Sequence, residues 1–145
     1  MKALIQRVKS ASVIINGELF SSINSGILIF LGVEKSDEKL NAEKLVQKIL
    51  NLRIFEDENE KMNLSILDIK GEIMVVSQFT LCGNCAKGTR PSFDNAANPE
   101  VANGLYEYFV KLMKTSNLKV ETGKFRAMMD VSLINDGPVT FWVEK

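Results

Sequence analysis

The sequence contains no histidine, has only two cysteines and includes no apolar run long enough to cross a membrane. Without histidine the chain lacks the usual general base, the commonest metal ligand and every Ser-His or Cys-His nucleophilic pair. Two cysteines cannot build a disulfide scaffold, and the longest apolar stretch, 27–33, is far shorter than the roughly 20 residues of a membrane helix. The charged first residues do not resemble a signal peptide. We therefore expect a cytoplasmic protein with no membrane partner, no metal and no cofactor.

Length and charge define the broad class of protein. The chain has 145 residues, of which 46% are hydrophobic and 25% are charged, as in an ordinary globular domain with one core. Two separate cores within this length would each bury too little surface, so we expect a single domain over residues 1–145. Eighteen basic and eighteen acidic residues give a formal net charge of zero. Contact with nucleic acid would therefore depend on a local patch.

The first half of the chain predicts strands followed by a helix. Asn16-Gly17 lies between two β-rich segments and is typical of a hairpin turn. The continuous apolar run 27–31 predicts a central strand that is covered on both faces. Apolar residues then recur at helical spacing over 37–51, with Ser36 as the expected N-cap.

The second half predicts a strand over 72–80, a long loop over 81–98, a helix from Asn98-Pro99 to about Ser116, and two or three strands broken at 135–138. Predicted strands greatly outnumber helices. Two helices cannot cover both faces of so many strands. We therefore expect a mixed α/β fold of two packed mixed β-sheets with two main helices on one outer side.

Cys82 and Cys85 have the spacing of a redox dithiol or of half a zinc site. A zinc site needs further ligands, which the chain lacks, and Gly88 and Pro91 follow where a thioredoxin-type dithiol would begin a helix. We interpret the pair as incidental. A dithiol redox protein nevertheless stays open as an alternative.

One stretch of the chain is locally basic, and with Lys87 and Arg90 of the long loop it is the best candidate for contacts to phosphate. Its cations are Lys111, Lys114, Lys119, Lys124 and Arg126. An exposed helix face would show the same pattern. A non-enzymatic RNA-binding module is the second open alternative.

Two short strings could carry chemistry. The string Ser77-Gln78-Phe79-Thr80 places hydroxyls, an amide and backbone N–H groups at the end of an apolar strand, although such residues more often serve turn and cap chemistry. Asn135-Asp136-Gly137-Pro138 is typical of a tight turn, and its Gly-Pro bond could be cis. The sequence does not fix the isomer.

These strings, taken together, resemble one family. The segments Val76-Ser77-Gln78-Phe79-Thr80-Leu81 and Asn135-Asp136-Gly137-Pro138-Val139-Thr140, in this order, are similar to the signatures of D-aminoacyl-tRNA deacylases of the Gly-cisPro type. Gln6-Arg7-Val8 and 51–57 extend the resemblance over essentially the whole chain. The loop 82–86, with its cysteine pair, departs from the family pattern. Arg126 stands where most members have glycine.

The resemblance implies a homodimer that hydrolyses the ester between a D-amino acid, or glycine, and the 3′-terminal adenosine of tRNA. The tRNA 2′-OH and a water replace a side-chain nucleophile, and the amides of Phe79 and Thr80 stabilise the oxyanion. Gly137 and Pro138, inserted from the second subunit beside Met129, reject L-amino acids. The implied catalytic residues are Ser77, Gln78, Phe79 and Thr80. The expected tRNA phosphate contacts are Lys87, Arg90, Lys124 and Arg126.

Overall fold

Most of the sheet is organised around one long N-terminal strand. The computed structural model describes all residues, 1–145, and β1 covers Lys2–Ile15. Its first half pairs antiparallel with β3 (Gly26–Gly32), and its second half pairs antiparallel with β2 (Glu18–Ile23). The C-terminal strand β8 (Asp130–Glu144) pairs antiparallel with both halves. Because a strand has only two edges, β2 and β3 share the edge opposite β8.

The rest of the sheet extends from β3 by parallel pairing. β3 pairs with β6 (Glu72–Ser77), and β6 pairs with β7 (Val120–Thr122). Parallel neighbours need crossover connections, and two helices supply them: α1 (Lys39–Leu50) lies between β3 and β6, and α3 (Pro99–Lys114) lies between β6 and β7. The remaining elements are a small antiparallel pair, β4 (Phe55–Glu56) with β5 (Met62–Leu64), the single-turn α2 (Ile66–Ile69) and a 3₁₀ turn (Phe79–Cys82).

Apolar side chains of β3 and β6 point alternately into two cores. On one face, Ile29 and Val75 join a cluster of 22 buried residues that includes Phe109 of α3. On the other face, Leu28 and Val76 join seven buried residues from β1, β2, β3 and β6. Strands covered on both faces are expected to be continuously apolar, which explains the run that the sequence shows over 27–31.

The sheet curls so that β2, at one end of the strand order, contacts β7 at the other end. The Ser21 hydroxyl of β2 donates to the carbonyl of Thr122 in β7 at 2.8 Å. The pairing of β1 with β8 shifts register between Gln6 and Ser10, at the boundary between the two halves of β1. Irregularities of this kind increase the bend and twist of a strand. The second half of β1 and β2 therefore form a layer over the β3–β6 face that the helices leave uncovered.

The mixed α/β class and the helices on one side are confirmed, with a single-turn third helix added. The two packed layers belong to one continuous six-stranded sheet, and only β4 and β5 form a separate sheet. This continuity depends on the long pairing of β1 with β8. Pairing between the two ends of the chain has no local sequence signal, so the pattern alone could not reveal it.

Several element boundaries differ from the sequence predictions. α1 begins at Lys39 and its N-cap is Glu38, not Ser36, because Asp37 instead accepts hydrogen bonds from the Met1 amino group and the Glu34 amide. β6 ends at Ser77, where the 3₁₀ turn takes over. The tail after α3 forms β7 and one strand, β8, that passes through the predicted break. The hairpin at Asn16-Gly17 and the helix from Pro99, capped by Asn98, are confirmed. None of the helices combines the length and the apolar character needed to cross a membrane.

Candidate active site

The end of β6 presents two backbone amides without an acceptor. The Gln78 N–H donates to the carbonyl of Leu31 at 2.8 Å, and the chain then turns into the 3₁₀ turn that starts at Phe79. The first N–H groups of a helical turn have no partner within it. Neither the Phe79 amide nor the Thr80 amide donates to another part of the chain. Two adjacent free donors are therefore available to an anionic oxygen.

The side chains at this turn offer positioning groups but no base. The Gln78 amide donates to the Thr80 hydroxyl, and both residues are at least partly accessible. No carboxylate or amine contacts Thr80, and without one its hydroxyl has no group to take its proton. The Phe79 ring is 58% exposed and packs on Phe93 with ring centroids 5.0 Å apart. This contact supports the turn from outside the core.

A pocket of about 550 Å³ opens beside the turn. Ser77, Gln78 and Phe79 form one wall, and the segment from Phe125 to Met129 forms another. Eleven of its 15 lining residues are hydrophobic. A largely apolar cavity with a few polar groups at one wall is the usual form of a small-ligand site. The structure thus brings Ser77, Gln78 and Phe79 together with Met129 and Arg126, while Thr80 lies at the edge and does not line the cavity.

Met129 is held by the loop that precedes it. A Cβ atom on buried Gly123 would lie 2.8 Å from the Met129 sulfur, so only glycine lets this side chain pack so closely. The Lys124 N–H lies 3.3 Å from the same sulfur and donates to it. The position of Met129 in the pocket wall therefore depends on the backbone at Gly123 and Lys124.

The backbone at Arg126 suits glycine better than arginine. Its φ angle is 62°, in the left-handed region that favours glycine. Arg126 is exposed, and its side chain borders the pocket. The arginine thus adds a cation beside the pocket in a backbone conformation that suits it poorly.

Gly137 and Pro138 do not line the pocket of their own chain. They lie in a bulge of β8, between Asn135, which pairs with Val8, and Thr140, which pairs with Gln6. The Gly137-Pro138 peptide bond is cis. The bulge and the strand end that carries Ser77 are therefore separate features of one chain.

Arg7 holds this bulge in place. Its guanidinium donates to the Asp136 carbonyl at 3.2 Å and to the Ile54 carbonyl at 2.7 Å, and forms an ion pair with the Asp136 carboxylate at 3.0 Å. The Asn135 side chain donates to the Arg7 carbonyl at 2.9 Å. Arg7 is a functional residue that the sequence predictions missed, although an arginine in the middle of an apolar strand is itself a signal of a buried polar network.

The other predicted cations lie on two different loops. Lys87 and Arg90 are exposed in the segment that the Asn84–Ser92 bridge closes, and neither lines the pocket. Lys124 and Arg126 belong to the loop that carries Met129, so they lie nearer to the pocket wall.

The cysteine environments do not fit a dithiol redox centre. Cys82 is 2% exposed, and its thiol lies 3.5 Å from the Val33 carbonyl. Burial raises the pKa of the Cys82 thiol, whereas a reactive thiolate needs a lowered pKa. Cys85 is exposed, and both thiols are free. No group of three or more potential ligand side chains that could hold a metal ion occurs in the chain.

Fold and site together define the class of protein. It is a mixed α/β domain with a strand-end pocket, in which free backbone amides and small polar side chains stand without histidine or a metal-ligand cluster. Within this class, the chain belongs to the D-Tyr-tRNA(Tyr) deacylase family, whose model matches residues 4–144.

Sequence relatives match over the full length. A protein from Geotalea daltonii named D-aminoacyl-tRNA deacylase is 60% identical over 144 residues, which are 99% of this chain and 96% of that protein. A relative of the same name from Pelobacter propionicus is 55% identical over 145 residues and 100% of both chains.

Solved structures share the whole architecture. One described as c-Myc DNA Unwinding Element Binding Protein has a TM-score of 0.94 at 44% identity and covers 100% of this chain and 99% of its own. Another, described as a probable eukaryotic D-amino acid tRNA deacylase, has a TM-score of 0.84 with coverage of 99% and 98%. At 14% identity, this second likeness shows the fold alone.

The substitution Arg126→Gly tests the backbone explanation. Glycine adopts the left-handed conformation without a steric penalty, so the free energy of unfolding is expected to rise by up to about 1 kcal/mol. Lys124→Gly is the matched control, because Lys124 lies in the same loop without a positive φ angle, and it is expected to lower stability. Urea unfolding measures both changes. Equal effects of the two substitutions would contradict the explanation.

Proposed function

We propose that the protein hydrolyses the ester bond of D-aminoacyl-tRNA in the cytoplasm and releases free D-amino acid and tRNA. Residues 1–145 would act as one deacylase domain, and glycine wrongly attached to tRNA would be a further substrate. One observation carries the proposal. Relatives named D-aminoacyl-tRNA deacylase match this chain from end to end, at 60% identity in one case and 55% in another.

The proposed chemistry needs no side-chain base. A water, assisted by the 2′-OH of the terminal ribose, attacks the ester carbonyl carbon, and the carbonyl oxygen becomes an oxyanion. The amides of Phe79 and Thr80 donate to that oxygen, which their lack of intrachain acceptors supports. When the intermediate collapses, the bond to the ribose oxygen breaks, and that oxygen takes up the proton that the attacking water gives up by way of the 2′-OH. Thr80, whose hydroxyl accepts a hydrogen bond from the Gln78 side chain, acts as a positioning group.

Selection against L-amino acids would come from the second subunit. In this proposal Gly137 and Pro138 of the partner subunit enter the pocket opposite Ser77 and Met129, where they leave no space for an L side chain. The bulge is suited to this role because Arg7 fixes it while Gly137 stays exposed. A Cβ on Gly137 would meet only the Asn135 side-chain oxygen, at 3.6 Å. The space around Gly137 is therefore open to another chain.

A homodimer is supported by the surface of β8. This strand pairs with β1 alone, and it exposes three large apolar side chains: Ile134 at 58%, Phe141 at 38% and Trp142 at 48%. Phe141 and Trp142 are neighbours in the strand, so they point to opposite faces of β8. Exposed large apolar side chains on an edge strand are typical of a protein interface. Pairing two such surfaces would place one subunit's β8 against the other subunit.

The direct test of the proposed function is an assay with three esters of tRNA. Purified protein, treated with a chelator and kept reduced, is given D-tyrosyl-tRNA, L-tyrosyl-tRNA and glycyl-tRNA. Release of the D-tyrosyl and glycyl esters far above the spontaneous rate, with the L-tyrosyl ester spared, is the expected result. Loss of activity on chelation or reduction would instead indicate a metal or a disulfide. No turnover of any ester would contradict the proposal.

The proposed oxyanion donor can be removed by proline. Phe79 is the first residue of the 3₁₀ turn and its N–H has no acceptor, so Phe79→Pro removes one donor at a position that tolerates proline. Phe79→Ala is the matched control, because it loses the ring but keeps the N–H. We expect kcat for D-tyrosyl-tRNA to be about 100-fold lower in the proline variant than in the alanine variant.

Thermal melting of both variants verifies that the turn still folds. Equal kcat values in two folded variants would show that the Phe79 amide does not contact the oxyanion, and the proposed roles of this turn would then be wrong.

A further inference from the structure

A groove leads away from the pocket along α3. The pocket wall formed by Phe125 and Arg126 is shared with a second concave surface that includes Asn103. Asn103 and Phe125 are shared in turn with a third, of about 490 Å³, which reaches Lys111 and Lys114. We name this continuous surface the α3 groove, defined by Asn103, Glu107, Lys111, Lys114, Phe125 and Arg126.

The groove carries cations that form no ion pair within the chain, although Glu107 lines the same surface. Lys111 and Lys114 are exposed, and neither takes part in an ion pair within the chain, nor does Arg126. The two lysines lie three positions apart on α3, so their side chains leave the same face of the helix. They therefore present two positive charges side by side.

The remaining groups of the groove fit ribose and base. The Glu107 carboxylate accepts from the Asn103 amide at 2.9 Å, which leaves a second carboxylate oxygen to accept from a hydroxyl. Phe125 supplies a half-exposed ring. Tyr106 adds no free polar group, because its hydroxyl donates inward to the Val75 carbonyl at 2.8 Å and burial raises its pKa to about 12. Cations, a hydroxyl acceptor and an aromatic face are what single-stranded RNA binds.

We propose that the α3 groove binds the unpaired nucleotides that precede the terminal adenosine of tRNA, with Lys111 and Lys114 on their phosphates. This inference rests on the proposed deacylase function, in which the terminal adenosine occupies the pocket. The nucleotides before it must then leave through an opening of that pocket, and the α3 groove is continuous with the wall at Phe125 and Arg126. Lys87 and Arg90 line none of these surfaces.

The test compares two substrates that differ only beyond the terminal adenosine. One is D-tyrosyl-tRNA, and the other is the D-tyrosyl ester of adenosine alone. The variant is Lys111→Gln with Lys114→Gln. The matched control is Lys44→Gln with Lys48→Gln, since these are also exposed lysines without ion pairs, on the other long helix. For each protein, kcat/KM is measured on both substrates over a range of salt concentrations.

We expect the ratio of kcat/KM for the tRNA to that for the nucleoside ester to fall roughly three- to tenfold in the groove variant, as for two exposed charge contacts. Its slope against the logarithm of salt concentration should become shallower by about 1.4, or about 0.7 for each lost contact to single-stranded RNA. The control variant should match wild type in both quantities.

Failure of the groove assignment and failure of the proposed function give different results. If the wild-type protein hydrolyses D-tyrosyl-tRNA but the groove variant keeps the wild-type ratio and salt slope, the groove assignment is wrong and the proposed function stands. An equal fall of the ratio in the control variant would also overturn the groove assignment, because the effect would then not depend on where the two lysines lie. If wild type hydrolyses neither substrate, the deacylase proposal itself fails.

Discussion

The architecture depends on one buried cation in β1. Arg7 is 5% exposed, and its guanidinium donates to carbonyls of Ile54 and Asp136, from segments far apart in the sequence. A buried guanidinium is tolerated only when its donors are satisfied, and the chain leaves no buried side-chain nitrogen or oxygen without a partner. Arg7 itself lies within the register shift between β1 and β8. Its bonds to Asp136 and Ile54 hold the bulge that carries Gly137 against the segment around Ile54.

Local signals in the sequence predicted the local elements of the fold. The turn at Asn16-Gly17, the central strand β3 and the helix that Asn98 caps follow from turn chemistry, burial on both faces and N-capping. The continuity of the sheet did not follow, because β1 and β8 pair across the whole chain length. The N-cap at Ser36 was wrong for a similar reason. The Met1 amino group recruits Asp37, and this contact has no signature in the sequence around the helix.

The candidate site, like the fold, could be predicted only in part. The string 77–80 identified the strand end, and the structure adds why it is suited to chemistry: two adjacent amides have no acceptor. The placement of Met129 beside this strand end depends on its close packing against Gly123. That contact exists only in the folded chain, so no local sequence pattern shows it. The resemblance to the family marked Arg126 as unusual. Its φ angle of 62° lies in the left-handed region, which explains why glycine would suit this position better than arginine. The sequence marked the cations of the α3 groove as part of a basic stretch. It could not show that the groove is continuous with the pocket, because that continuity arises from packing of the loop at Phe125 against α3.

In the proposed enzyme, one active site needs the strand end of one subunit and the Gly137 bulge of the other. Co-expression of two differently tagged chains, one with Phe79→Pro and one with Gly137→Trp, followed by purification on both tags, yields the mixed dimer. A site shared between subunits leaves one intact pair per mixed dimer, so about half of the wild-type kcat on D-tyrosyl-tRNA should return, far above the kcat of either variant alone. A mixed dimer as inactive as its parents, or the absence of any doubly tagged species, would contradict the account.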